Sequence, residues 1–496
     1  LLTPAPSAEP SPVGCTSDFG DAPTSPEGAG PFQGIGEERP GLKRGGAPAQ
    51  AESRRQSEKK SQSRKSFDVE TAEAALDFVS LTSDTEAVRC GLKCRPLAPP
   101  RLYRREKNTR ENKSLFCMKF GIDYRPAMTS RAGIGRYTQG LVAGLADLAN
   151  RDDRVNDTFE LYSFHVKRVP RRATPPVNRR FRLRRGPVPA RLVHWLGRLG
   201  YGAETHFGRV SLFHFTDFTY LPFRRTPHVF TLHDLSFRIH PAWHEPRAVR
   251  ALEAVLGRLV PRARRILVHS EHTARDACEW LGLEPERVRV TPPGVAPEFF
   301  ARASEEEVES IRRRYSVPGR YLVHVGTLEP RKNLPRLIEA FDRIARHHPD
   351  LGLVLAGGRG WLDAPIFSAI ECASNRDRIR VLGQVSDAEL RALYRGASAF
   401  AYVSLHEGFG LPVLEALASG VPSVVSRASS LPEAAGAAAV LVPPDDVDAI
   451  AGALHAVLTD GALRGRLGEA GPAHAATFTW TRTARATLDA YREAIA

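Results

Sequence analysis

The 496-residue sequence predicts an α/β protein in which two doubly wound, parallel-sheet domains follow one another from about residue 118. Short apolar runs alternate there with amphipathic helical stretches, the pattern of parallel sheets covered on both faces. The chain is too long for a single hydrophobic core. Its 42% hydrophobic and 25% charged residues are those of a soluble globular protein. No run approaches the roughly 18–20 apolar residues of a membrane span.

Residues 1–117 come first. Rich in Pro, Gly, Ser and mixed charge, they cannot bury enough apolar surface to offset their ordering entropy. A disordered segment is expected, with a transient amphipathic helix over 67–81. Residues 1–12 lack the charged start and apolar core of a signal peptide. The first methionine is Met118, directly before the first convincing strand. Residues 1–117 therefore read as upstream sequence translated from a misplaced start, the alternative being a genuine tail.

The first domain, 118–300, opens with a strand at 119–124 and a helix at 135–149. Strands at 212–216, 228–231 and 265–269 follow. Pro and Gly crowd the junction at 292–305. The second domain, 301–476, has strands at 321–325, 351–356, 379–382, 399–403 and 422–426, with helices at 334–347, 387–395, 412–418 and 447–458. Residues 477–496 read as a last helix. In such sheets ligands bind beyond the carboxyl ends of the strands.

Four of six cysteines lie in the first 117 residues and none has a partner pair at zinc spacing. That is no disulfide framework, and it implies a reducing, cytoplasmic setting. The net charge of +14 calls for an anionic partner without choosing nucleic acid, membrane or phosphorylated substrate. Residues 1–117 hold 18 Lys+Arg against 16 Asp+Glu, so the excess sits in the globular part. Residues 167–200 join many arginines (among them Arg171, Arg172, Arg179, Arg180, Arg182, Arg184 and Arg185) to a stripe of Leu192, Leu196 and Leu199 beside Trp195. That stretch suits an anionic bilayer, or equally a solvated face over an ordinary core stripe. No aromatic platform motif for RNA accompanies it, and nucleic acid is not an expected partner.

The densest chemistry is His406-Glu407-Gly408-Phe409-Gly410-Leu411-Pro412-Val413-Leu414-Glu415. A strand ends near Leu405, and Pro412 is pre-organised for a first helical turn. Glu407 thus lies in the loop and Glu415 one turn into the helix, where both carboxylates can face a cleft. The glycines expose backbone N–H groups at a helix N-terminus, a site for phosphate or sugar oxygens. A second motif, Gly326-Thr327-Leu328-Glu329-Pro330-Arg331-Lys332-Asn333, puts two cations after a strand, an arrangement that suits a diphosphate. The third, Arg131-Ala132-Gly133-Ile134-Gly135-Arg136, sits in the first strand-to-helix loop. The fourth, Thr231-Leu232-His233-Asp234, ends a strand of the first domain. Val385 and Asp387 follow another strand end, and Asp387 is equally explained as a helix N-cap. Asp446-Val447-Asp448 has a metal-binding spacing but sits at a helix start, where capping accounts for it.

The decapeptide resembles the E-x7-E signature of the retaining GT-B glycosyltransferases of family four, and the other motifs fall in that family's order over essentially all of 118–496. The resemblance implies the GT-B fold, with two facing Rossmann-like domains and a deep cleft between them. It implies that Glu415 holds the nucleotide ribose, and that Glu407 with the amides of Gly408, Phe409 and Gly410 holds donor-sugar hydroxyls. Arg331 and Lys332 would neutralise the departing diphosphate beside Gly326. Gly133 and Gly135 would bring backbone to the donor phosphate or the acceptor, with Arg136 alongside. His233 would contact the hexose near its reacting carbon, Asp234 would orient that imidazole or the acceptor hydroxyl, and Val385 with Asp387 would contact the base. Many relatives carry an arginine where this chain has Thr327, which Arg331 would replace or whose absence would loosen the diphosphate grip.

The implied activity is metal-independent, cofactor-free transfer of a hexose, with mannose from a guanosine donor preferred. The acceptor would be a glycan or a lipid-linked sugar in surface polysaccharide synthesis. Such an enzyme would work in the cytoplasm, peripherally on the inner face of the plasma membrane. The rivals are a soluble sugar-nucleotide hydrolase or synthase of the same fold acting on a free sugar or sugar phosphate, and a catalytically silent scaffold or nucleic-acid binder.

Overall fold

The computed structural model describes residues 117–496, except 131, 153, 165–173, 177, 187–194 and 197–198. The expected helix at 67–81 lies outside the described residues.

Two wholly parallel sheets make up the described chain. The first has seven strands: β1 (Lys119–Asp123), β2 (Thr158–Phe164), β3 (Phe181–Gly186), β4 (Leu212–Phe215), β5 (His228–Thr231), β6 (Ala263–Val268) and β7 (Val288–Val290). Their order in the sheet is β3-β2-β1-β4-β5-β6-β7. The second has six: β8 (Arg320–Val325), β9 (Leu351–Ala356), β10 (Ile379–Gly383), β11 (Ala399–Tyr402), β12 (Ser423–Ser426) and β13 (Val440–Val442), ordered β10-β9-β8-β11-β12-β13. In each sheet the order reverses at the first strand, so crevices open beside β1 and β4, and beside β8 and β11.

Hydrophobic runs make the central strands. All six residues of β9, Leu-Gly-Leu-Val-Leu-Ala, are buried, as helices on both faces require. Helix α1 (Gly133–Arg151) covers the first sheet, burying Tyr137, Leu141, Leu145 and Leu148 at helical spacing. Helix α2 (Glu271–Leu281) follows β6 and is N-capped by the Ser270 side chain, which accepts from the Thr273 N–H. In the second domain α3 (Leu334–Ala345) buries Leu334, Leu337, Ile338, Phe341 and Ile344. Helices α4 (Asp387–Gly396) and α5 (Leu411–Ala418) flank β11 in sequence. The last helix, α6 (Trp480–Ile495), packs along α1 and returns the chain to the first sheet. Its Tyr491 hydroxyl lies 2.7 Å from Nδ1 of His214 in β4.

β2, β3, β7 and β13 extend the predicted sheets. β3 takes up part of the arginine run. Phe181 is buried while Arg182 and Arg184 are exposed, the alternation of an edge strand. Arg184 Nε pairs with Glu160 of β2 at 2.5 Å. Part of the basic segment is thus sheet edge, where charge discourages pairing with other strands. The rest of the stretch expected to meet a bilayer falls mostly outside the described residues. Among the described residues no helix is long and apolar enough to cross a membrane.

Candidate functional site

The loops leaving β8 and β11 diverge where the second sheet reverses. After β8 the backbone makes a single 3-10 turn, Pro330–Lys332, and Asn333 opens α3. After β11 residues 403–410 form a loop closed by Gly410 at φ +112°, a left-handed geometry that favours glycine, and Leu411 opens α5. These two loops carry Arg331, Lys332 and Glu407 into one buried cluster. Arg331 Nη1 and Lys332 Nζ each lie 2.5 Å from a Glu407 carboxylate oxygen. Arg331 Nε also pairs with Glu329 at 2.6 Å. The Tyr402 hydroxyl accepts from Lys332 Nζ and donates to Glu407 Oε1, both at 2.9 Å.

Burial works against every charge here, and the partners decide the outcome. Glu407 would be raised by burial, but Arg331 and Lys332 hold its carboxyl well below the usual range. Arg331 is buried too, yet Glu407 and Glu329 fix its charge firmly. Burial and the adjacent Arg331 guanidinium lower the Lys332 ammonium. The loop itself is fixed by two serines: the Glu407 N–H donates to Ser429 Oγ at 2.8 Å, and Ser430 Oγ donates to the Glu407 carbonyl at 2.7 Å.

Glu415, buried in α5, faces the first domain. Its carboxylate pairs with Arg136 from the first turn of α1 and accepts from the Tyr394 hydroxyl at 3.3 Å. Arg136 also pairs with Asp387 at the start of α4. Burial raises the Glu415 carboxyl above its ordinary value although Arg136 opposes it. Ser386, not Asp387, caps α4: Ser386 Oγ accepts from the Glu389 N–H and Glu389 returns a bond to the Ser386 N–H. Asp387 is thereby left for the cross-domain pair. Asp446 does cap its helix, accepting from the Ala449 N–H at 2.8 Å.

The domains meet directly at Gly408. Its carbonyl accepts from Ser270 Oγ at 3.0 Å and Thr273 Oγ1 at 3.2 Å, both at the N-terminus of α2. Glu433 accepts from the Glu271 and His272 N–H groups at 2.8 Å each, an anion at a helix N-terminus. Trp361 Nε1 donates to the Trp243 carbonyl at 2.7 Å. The carboxyl ends of the two sheets thus face one another, in contact.

His233, two residues past the end of β5, lies beside this junction with both ring nitrogens engaged. The Thr216 carbonyl, 2.8 Å away, can only accept, so Nε2 carries the proton and Nδ1 accepts from His269 Nε2 at 2.9 Å. Burial keeps His233 neutral, and holds His269 down at about 3. Asp234 does not orient this imidazole, a correction to the sequence expectation. Its Oδ1 accepts instead from the N–H and hydroxyl of Ser236, at 2.9 and 2.7 Å. Phe409 is likewise buried in the core against Phe478, so only its backbone is available to a ligand.

The structure therefore gathers Glu407, Arg331 and Lys332 into one ion cluster, and Glu415, Arg136 and Asp387 into a second. Gly326 follows β8, its N–H bonded to the Ala356 carbonyl at 2.9 Å. Gly133 and Gly135 form the first turn of α1 below Arg136. Val385 lies partly buried in the loop between β10 and α4. Glu329, Tyr402, Ser429, Ser430, Tyr394 and His269 escaped the sequence reading. Of these only Glu329 sits inside a recognised motif. A hollow of about 1460 Å³ lined by Arg225, Arg262, Arg264 and Arg265 contains none of these groups, and opens at the opposite ends of β5 and β6.

The cross-domain pair can be tested directly. Of the two partners of Arg136 only Glu415 is buried, and leaving a buried hydrogen-bonded charge without its partner costs about 2–5 kcal/mol. Arg136→Ala should therefore loosen the domains, raising the radius of gyration in small-angle scattering. An unchanged radius would show that the pair does not hold them together.

A family described as "Glycosyl transferases group 1" matches residues 308–474, and one described as "Glycosyltransferase Family 4" matches 132–299. O-antigen chain mannosyltransferase B of Escherichia coli is 31% identical over 385 residues, covering 76% of this chain and 100% of that protein. D-inositol 3-phosphate glycosyltransferase of Corynebacterium glutamicum (strain R) is 32% identical over 286 residues, 55% of this chain and 68% of that one. Among solved structures, sucrose-phosphate synthase of Thermosynechococcus elongatus superposes with a TM-score of 0.57 at 20% identity, covering 75% of this chain and 98% of that chain.

Proposed function

The chain belongs to the group 1 glycosyltransferases of family four, enzymes that act on nucleotide sugars, and from that premise we propose that it transfers mannose from a guanosine diphosphate donor, with retention, to a glycan or lipid-linked acceptor. The observation that carries this reading is the Glu407–Arg331–Lys332 cluster at the reversal point of the second sheet. Its two cations are pre-placed, in a water-poor site, for the charge that grows on a leaving diphosphate. The likeness over the whole length of an O-antigen mannosyltransferase supports mannose and a surface-polysaccharide acceptor.

Arg331 and Lys332 would take up the diphosphate as the bond to the anomeric carbon breaks, and Glu407 would exchange part of its cation contact for sugar hydroxyls. Glu415 would accept the ribose hydroxyls once Arg136 releases it. No carboxylate of the cluster is free to act as nucleophile, which supports attack of the acceptor from the face the diphosphate leaves. Its hydroxyl proton would pass to the departing phosphate oxygen. The cations do the work of a divalent ion, so catalysis needs neither metal nor cofactor. His233, with both nitrogens occupied, would fix the junction beside the sugar. The enzyme would act at the cytoplasmic face of a membrane, where lipid-linked acceptors are displayed.

A second reading, transfer to a soluble cyclitol or sugar phosphate, is favoured by the 32% identity to the inositol phosphate enzyme. The two share a donor site and differ in acceptor. Guanosine diphosphate at a hundredfold excess over Kd should stabilise the protein by about 2.7 kcal/mol. GDP-mannose should be turned over in the presence of EDTA, giving an α-linked product by NMR. A β-linked product would overturn retention, selective use of a uridine donor would overturn the guanosine assignment, and activity on inositol phosphate alone would establish the second reading.

A further inference from the structure

Where α2 of the first domain meets the loop after β11, three metal-ligand side chains converge. His272 and Asp276 lie four residues apart on α2 and so share one face. His406 reaches them from the second domain. Asp276 Oδ2 is 3.6 Å from His272 Nε2 and 3.8 Å from His406 Nε2, and the three ligand atoms all lie within 4.8 Å of one another. These separations are too long for hydrogen bonds. Asp276 is 7% exposed and His406 4%, and among the described residues neither Asp276 Oδ2 nor His406 Nε2 has a hydrogen-bond partner. Two deeply buried polar atoms aimed at one point, both unsatisfied, call for an occupant.

The donor set narrows the occupant. Two imidazoles and a carboxylate suit zinc and its neighbours, whereas calcium and magnesium prefer oxygen alone. Metal–ligand bonds of about 2.0–2.2 Å put tetrahedral ligand atoms about 3.3–3.5 Å apart, so a small inward movement would complete the geometry. His272, more exposed than the other two, gives the ion a way in.

We propose that His272, Asp276 and His406 form an interdomain site for a divalent transition metal of the zinc class, with its fourth position left to water. The metal takes no part in sugar transfer. Because its ligands come from both domains, it holds them in the arrangement in which Gly408 meets α2.

The full-length protein, stripped with EDTA and dialysed, is titrated with Zn²⁺ and, for its visible absorption, Co²⁺. One ion per chain is expected, with the absorption of a four-coordinate centre and a rise in melting temperature. His272→Gln, Asp276→Asn and His406→Asn should each weaken that site at least about a hundredfold, the upper end of what losing even a supporting group costs a metal site. Loss on altering either domain's ligand establishes the bridge. Failure of the wild type to bind at micromolar metal, or full binding in His272→Gln, overturns the proposal, and water then fills the gap. If His406→Asn fails to fold, His272→Gln on the partly exposed helix face still decides.

Discussion

Replacing Glu407 by alanine is expected to reduce turnover by two to three orders of magnitude and to destabilise the second domain by about 3–5 kcal/mol, because both effects come from the same pair of cations. In the folded protein Arg331 and Lys332 share this one carboxylate, in a site nearly closed to water. Removing it leaves Arg331 with Glu329 and the His406 carbonyl, and Lys332 with a tyrosine hydroxyl. A buried charge without its partner is far more costly than the pair was favourable. Glu407→Gln keeps the shape and one acceptor oxygen, so it should recover part of the stability while turnover stays low. A nucleoside diphosphate should rescue stability further, by supplying the missing negative charge to the same cations. If Glu407→Ala is as stable as wild type and fully active, the cluster is neither a structural nor a catalytic centre.

The pH dependence of stability follows from the same cluster. The Glu407 carboxyl is held below its ordinary value of 4.5. Below pH 4.5 the unfolded chain therefore binds a proton that the folded chain refuses. The stability Glu407 contributes is complete above 4.5 and is lost as the pH falls toward the folded value, by up to about 1.4 kcal/mol per pH unit. Denaturant titrations should show a shallower acid loss in Glu407→Ala than in wild type.

The motifs were legible because each lies within one strand–loop–helix segment, where spacing along the chain fixes position in space. The reach of Pro412 into α5, the strand before Gly326 and the turn at Gly133 are all local facts. So is the composition that made β8, β9 and β11 readable as buried strands. The partnerships were not legible. Glu407 lies 76 residues from Arg331 and Glu415 lies 279 from Arg136, and nothing in either segment encodes that closeness. The sequence suggested cations and carboxylates each turned toward a ligand, whereas in the folded chain they are turned toward one another. Asp234 misled for a related reason. A His-Asp dipeptide invites pairing, but neighbouring side chains at a strand end diverge, and Ser236 two residues on offered Asp234 a nearer donor. β3 was hidden because its arginines outweigh its two apolar positions in any reading of composition. Only pairing with β2 reveals the alternation.

Gly408→Ala should lower kcat at least a hundredfold while leaving the melting temperature close to that of wild type. A Cβ built on Gly408 would stand 1.8 Å from the His233 carbonyl oxygen and 2.8 Å from its carbonyl carbon. Both are backbone atoms of the other domain and cannot swing aside, so the two domains must separate by more than about 1 Å, a displacement large enough to cost a hundredfold in a positioned reaction. The backbone at Gly408 is not in the left-handed region, so alanine adds no local strain and each domain should fold as before. That separates this substitution from Glu407→Ala, whose loss of activity comes with a loss of stability. Nucleoside diphosphate should still bind Gly408→Ala, since the cation cluster belongs wholly to the second domain, while the bonds from Ser270 and Thr273 to the Gly408 carbonyl should break. Small-angle scattering should then show an opened molecule that diphosphate binds without closing. Should Gly408→Ala turn over at the wild-type rate, contact between these loops is not required for transfer.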